Sequence, residues 1–100
     1  MSHTINLALQ IIPKVPAENL YAVIDKAIEV IQRSGLRYRV CPFETVIEGP
    51  HAEVMRVAEE AQQACFAAGA GEVLVFMKLQ RRKDGDVHIE EKTGKYDAAS

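Results

Sequence analysis

The chain has 100 residues, 48% of them hydrophobic and 26% charged, with a formal net charge of −2. That length suits one domain with a modest core, of the kind often stabilised by pairing with copies of itself. Nothing in the composition marks the chain as disordered, and the slightly acidic balance argues against a nucleic-acid binder, which usually carries a basic excess.

Residues 3–12 alternate, with Ile5, Leu7, Leu9 and Ile11 on one face and Asn6, Ala8 and Gln10 on the other, which predicts a strand. Pro13 and Pro16 end it. Residues 17–34 change period: Leu20, Val23, Ile24, Ala27, Ile28 and Ile31 form a helical stripe, and Gly35 supplies the stop. Residues 36–41 alternate again up to Pro42, and residues 43–48 form the next strand, so these two are expected to pair. Gly49 and Pro50 are read as a turn. Residues 51–68 predict a second helix whose inner stripe is Val54, Val57, Ala58, Ala61, Cys65 and Ala68, ended by Gly69 and Gly71.

Residues 72–80 carry apolar side chains on both faces, the pattern of a central strand covered on both sides. Asp84-Gly85 signals a turn. Residues 87–91 are read as a short return strand, and the last seven, GKYDAAS, as a frayed tail. The basic run KLQRRK at 78–83 is followed by Asp84, Asp86, Glu90 and Glu91, which suits a solvated hairpin or strand end better than a phosphate patch.

The order is strand, helix, strand, strand, helix, strand, so the halves 1–41 and 43–81 share one βαβ plan. Right-handed crossovers fold such a pair into one antiparallel sheet with both helices on one face. The expectation is therefore an α+β protein with the ferredoxin-like βαββαβ arrangement. It forms a single domain over 1–100, with its core at about 4–81 and a short C-terminal extension at 84–100. The uncovered face would receive Leu74 and Phe76, or Val73 and Val75, and an apolar open face asks for a partner, most economically a second copy.

No apolar stretch reaches the ~18 residues a membrane span needs. The N-terminal apolar run is short and contains Asn6 and Gln10, so no export signal is read. Cys41 and Cys65 are then expected to be reduced thiols in a cytoplasmic protein. No dinucleotide fingerprint, P-loop, HExxH or CxxC occurs. The spacing of His3, His51 and His88 suggests no metal cage. No metal or cofactor motif is therefore read, and an enzyme using Cys41 or a carboxylate as base is left as a third reading.

The segment CPFETVIEG holds the strongest candidates for a site. Glu44 and Glu48 share one strand face with Val46 between them, while Thr45 and Ile47 take the other. Two carboxylates beside the ring of Phe43 suit a flat cationic ligand, although the same pattern fits a solvent-facing row. Asn6 and Gln10 are further candidates, because a buried amide must find partners. Lys78 shares a face with Leu74 and Phe76, and could balance Glu48 across the sheet or meet a ligand's phosphate.

Two stretches carry a family resemblance: EVIQRSGLRYRV at 29–40 and TVIEGPHAEVMRVAEEA at 45–61. They resemble the thiamine-binding, YkoF-like family (UPF0045, DUF77) in the SGL-x-Y turn, the T-x-IEG strand and the helix bearing EVM. The final core strand also runs into a basic stretch, as MKLQRRKD does here. The resemblance covers residues from about 5 to 83. It implies a ferredoxin-like fold, assembly into homodimers or homotetramers, and non-catalytic binding of thiamine or its hydroxymethylpyrimidine portion. Thr45, Glu48 and Gly49 occupy the motif positions. A carboxyl with a raised pKa at Glu48 would answer an aminopyrimidine with a two-point hydrogen bond, and Glu44 with Phe43 would favour a thiazolium. The chain departs from the family in carrying Phe43-Glu44 where a small residue often precedes the threonine, and in its short C-terminal segment. The alternative is a self-associating structural or regulatory module without a dedicated ligand.

Overall fold

The computed structural model describes residues 3–97. Strand β1 (Thr4–Pro13) leads through a short 3-10 turn (Ala17–Asn19) into helix α1 (Leu20–Arg33). Strands β2 (Arg37–Val40) and β3 (Thr45–Pro50) follow, then α2 (His51–Ala67), β4 (Val73–Gln80) and α3 (Glu90–Asp97). The sheet order is β2-β3-β1-β4 and each neighbouring pair is antiparallel. This is the α+β, ferredoxin-like topology that the repeated βαβ plan predicts.

Alternation sorts the sheet into two faces. Ile5, Leu7 and Leu9 of β1 and Ile47 of β3 point to the helices and are buried. Val23, Ala27 and Ile31 of α1 meet them, as do Val54, Val57, Ala58, Ala61 and Cys65 of α2. The alanines let the two helices approach the sheet and each other closely. Ala68, placed by its spacing on the inner stripe, lies just past the end of α2 and is exposed. Each fully buried Leu, Ile or Val contributes about 1.5–3 kcal/mol. Cys65 lies wholly within this core, and burial raises its thiol pKa, which leaves it a packing residue.

Two glycines have different reasons to be there. Gly35 sits at φ 78° after α1, in the left-handed region where a side chain is strained. Gly49 has no such conformation and makes no turn. It is the penultimate residue of β3, and a Cβ there would lie 3.0 Å from Leu36 Cδ2. The chain passes directly from Pro50 into α2 at His51.

Three further expectations need correction. The strand β4 is not central but lies at the sheet's edge, with β1 on one side only. Leu74, Phe76, Met77 and Leu79 are 39–56% exposed, so its two apolar faces are not both covered within one chain. Residues 87–91 form no strand: Val87 and Ile89 are buried, and the chain then turns into α3. Residues 94–97 belong to that helix rather than to a frayed tail, and residues 98–100 lie outside the described residues.

Candidate functional site

The open sheet face is organised in rows set by the strand register. One row reads Arg37, Glu48, Asn6 and Gln80; the next reads Arg39, Val46, Ala8 and Lys78. The segment after β4 lies over the first row. Thr4 N–H donates to Asp86 Oδ1 at 2.7 Å, and Val87 N–H donates to Thr4 O at 2.9 Å. Asn6 Nδ2 donates to both Val87 O (3.1 Å) and Glu48 Oε1 (3.2 Å). Ile89 N–H donates to Glu48 Oε1 at 2.5 Å. Further out, Arg37 pairs with Glu90, Arg39 Nη2 lies 2.8 Å from Asp97 Oδ2, and Arg82 grips Glu91 with two bonds of 2.9 and 2.8 Å.

Glu48 is therefore a latch for the C-terminal segment. Burial pushes its carboxyl pKa up, but the Ile89 N–H, Asn6, His88 and Arg37 together outweigh burial and hold it below the ordinary value. The raised pKa that a two-point bond to an aminopyrimidine requires is not found. Thr45 and Glu48 point to opposite faces, as alternation demands: Thr45 lies among the helix-side groups and Glu48 beneath the strap. Lys78 does not balance Glu48. Its cross-strand neighbour is Ala8, one row away, and the cation beside Glu48 is Arg37 at 3.7 Å.

Asn6 is 5% exposed and its amide orientation is set by the two acceptors it serves. Among the described residues its buried Oδ1 has no hydrogen-bond partner, at a cost of about 1–3 kcal/mol. Glu48, His88 and Glu90 bring ligand-type atoms within 4.8 Å of one another. Arg37 sits among them, bonded to Glu90 and close to Glu48, so a guanidinium already stands as the cation between the two carboxylates.

Two cavities flank the β2–β3 connection, and Cys41 and Glu44 line both. The first, of about 360 Å³, lies on the helix side between α1 and the ends of β1 and β3. Leu9, Ile24, Ile28 and Ile31 give it apolar walls, and Thr45 lies buried within it. Tyr21 and Phe43, 79% and 83% exposed, stand beside it with Asp25 and Glu44. No Lys, Arg or His lines it. The second, of about 340 Å³, lies on the open face below α3, where Arg39, Lys78 and Lys92 face a single carboxylate, Glu44. Both volumes fall in the range of small-molecule sites.

The residues singled out from the sequence thus divide. Phe43, Glu44, Thr45 and Gln10 line the helix-side cavity; Asn6, Glu44 and Lys78 line the open-face cavity; Glu48 lines neither. Sequence reasoning placed neither Tyr21 nor Asp25 in a site. They stand one turn apart on α1 at the margin of the apolar stripe, and an aromatic residue one turn before a carboxylate at such a margin was the available signal.

Comparison with known proteins agrees with the fold. A UPF0045 protein of Clostridium perfringens is 40% identical over 93 residues, 93% of this chain and 97% of that protein. A structure of a DUF77 domain from Bacillus cereus superposes with a TM-score of 0.91 at 42% identity, covering 96% of this chain and 92% of the other. A candidate thiamine biosynthesis/salvage protein of Thermotoga maritima superposes with a TM-score of 0.85 at 30% identity, covering 93% and 98%. The family model described as thiamine-binding protein matches residues 7–97, and the chain belongs to that family.

Proposed function

We propose that this protein binds thiamine or its hydroxymethylpyrimidine portion, without turning it over, in the helix-side cavity. Membership of a family described as thiamine-binding supports the ligand class. The observation that carries the choice of cavity is its lining: two aromatic rings and two carboxylates around apolar walls, with no basic side chain. A flat cation gains from each of these. The rings of Tyr21 and Phe43 stack on it or meet its charge face-on, Asp25 and Glu44 attract it, and the aliphatic walls take its apolar edges. The Thr45 hydroxyl can donate to a ring nitrogen or accept from an exocyclic amine. The open-face cavity, where Arg39 is paired with Asp97 and Lys78 and Lys92 stand against Glu44 alone, is less favourable to the thiazolium.

Isothermal titration with thiamine and, separately, hydroxymethylpyrimidine tests the proposal. Thiamine is expected to bind at micromolar concentration, about −8 kcal/mol. Asp25→Asn and Glu44→Gln should weaken thiamine but not the uncharged pyrimidine, while Phe43→Ala should weaken both. Absence of heat with both compounds overturns the proposal, and equal losses for the two ligands in the carboxylate variants overturn the assigned roles of Asp25 and Glu44. Self-association is the second part of the reading, favoured by the exposed apolar side chains along β4.

A further inference from the structure

We infer that the open-face cavity is a second binding site, separate from the helix-side one, and that it takes a small organic carboxylate whose body carries an O–H or N–H donor. The inference does not rest on the thiamine reading. Every strand of the sheet contributes to this cavity: Asn6 and Ala8 from β1, Arg39 from β2, Val46 from β3 and Lys78 from β4. The strap closes it from the other side with Ile89, and α3 with Lys92 and Thr93.

Charge selects an anion. Arg39 is paired with Asp97, which largely cancels it. Among the described residues Lys78 has no ion-pair or hydrogen-bond partner, and Lys92 meets the neutral amide oxygen of Gln80 rather than a carboxylate. Glu44 is the one carboxylate in the lining. Two uncancelled ammonium groups against one carboxylate leave an excess of one positive charge. A monoanion neutralises that excess, and a phosphate dianion overshoots it.

Asn6 selects a donor on the same molecule. Its Nδ2 is engaged by Val87 O and Glu48 Oε1, both acceptors, so the amide cannot turn round without setting oxygen against oxygen. Oδ1 is therefore the free end, on a side chain 5% exposed that lines the cavity, and among the described residues it has no partner. A buried acceptor calls for a donor. A bare carboxylate offers none; an O–H or N–H on its body does. Asn6 pairs with Gln80 and Ala8 with Lys78, so Asn6 and Lys78 are diagonal neighbours across the β1–β4 ladder. Such neighbours lie about 7–8 Å apart, a span one small molecule covers. Its carboxylate meets the lysines, its donor meets Asn6 Oδ1, and its carbon body lies against Ala8 and Val46.

The test titrates the full, isotope-labelled chain with glycolate, beta-hydroxybutyrate and para-hydroxybenzoate, without thiamine. Each is set beside its counterpart lacking the hydroxyl: acetate, butyrate and benzoate. Amide chemical shifts read the site. At least one hydroxy acid should move residues 6, 8, 78 and 92, leave residues 24 and 28 of α1 still, and bind about tenfold tighter than its counterpart. Lys78→Gln and Lys92→Gln should each weaken it about three- to fivefold. Both lysines are exposed, so circular dichroism should show intact folding. Glu44→Gln should tighten the hydroxy acid about twofold while weakening thiamine, so one substitution moves the two ligands in opposite directions. If no hydroxy acid moves these residues, or neither lysine variant weakens binding, the inference is overturned. Equal affinities within all three pairs overturn the role of Asn6, and equally tight binding of inorganic phosphate overturns the organic class. Thiamine affinity is read in a separate titration, so failure here leaves the thiamine proposal standing and the reverse also holds.

Discussion

Ile47 and Glu48 are neighbours on β3, both buried, and they face opposite sides of the same sheet. Ile47 sits among the apolar side chains of α1, α2 and β1, where attraction is non-directional and depends on area removed from water. Glu48 sits among an amide, a backbone N–H and a guanidinium, where everything depends on charge and direction. One side of the sheet is held by packing and the other by a polar latch. The two should respond differently to truncation, to pH and to salt.

The largest effect should come from the packed side. Ile47→Ala leaves a cavity among fully buried side chains, and should cost about 2–5 kcal/mol in urea unfolding, by nearly the same amount at pH 7 and pH 4. A loss that shrank strongly with pH would place Ile47 in the latch's thermodynamic unit. Glu48→Gln should cost less, about 1–3 kcal/mol, because the neutral amide still accepts from Ile89 but loses Arg37 and the charge assistance of its other bonds. Its effect should concentrate in the strap. Hydrogen exchange at residues 87–93 should accelerate more than exchange in α1 or α2.

The pH dependence sharpens the contrast, and its sign is fixed. Glu48 has a folded-state pKa below its ordinary 4.5, so the unfolded chain binds its proton first as pH falls. The stability it contributes is complete above about pH 4.5 and is lost as pH falls through the lower folded value. Asp86 and Asp97 are depressed too, by the Thr4 N–H and by Arg39 respectively, and Glu91 is held at about 2 by Arg82. The strap should therefore loosen between about pH 4.5 and 2, with the helix-packed face intact at the upper end of that range. Exchange rates at residues 87–93 measured against pH check this, and Glu48→Gln should flatten the profile.

The same contrast explains what could be read from the sequence. Strand β1 and helix α1 were legible because their apolar residues recur at two or at three and four, and burial follows that recurrence directly. Asn6 and Glu48 were legible as polar residues in apolar strands. Their partners were not, because residues 86–97 have no apolar period. The sequence EEKTGKYD is a weak helix former with an internal glycine, and it becomes helical where Arg37 and Arg39 of β2 hold Glu90 and Asp97. Strand β4 was misplaced for another reason. Apolar residues on both faces mark a strand covered twice, and the pattern is the same whether the cover belongs to this chain or to another. The site was half legible: Phe43, Glu44 and Thr45 fall together at one cavity, but Tyr21 and Asp25 come from α1, and only the fold brings the helix to that strand end.

The smallest expected effect discriminates the two cavities most sharply. They share Glu44 as a wall, so Glu44→Gln alone leaves open which side the ligand occupies. Lys92 lines only the open-face cavity, where it donates to Gln80 Oε1 at 2.6 Å. Lys92→Glu makes that cavity more hospitable to a cation and leaves the helix-side cavity untouched. With thiamine in the helix-side cavity, titration should show the affinity of Lys92→Glu within twofold of the parent, while Asp25→Asn, on the other side of the sheet, loses about two- to fivefold, the size of a partly screened charge contact. Should Lys92→Glu tighten thiamine and Asp25→Asn leave it alone, the ligand lies beneath α3. Binding would then be tied to the latch, and acid that frees the strap would release the ligand as well.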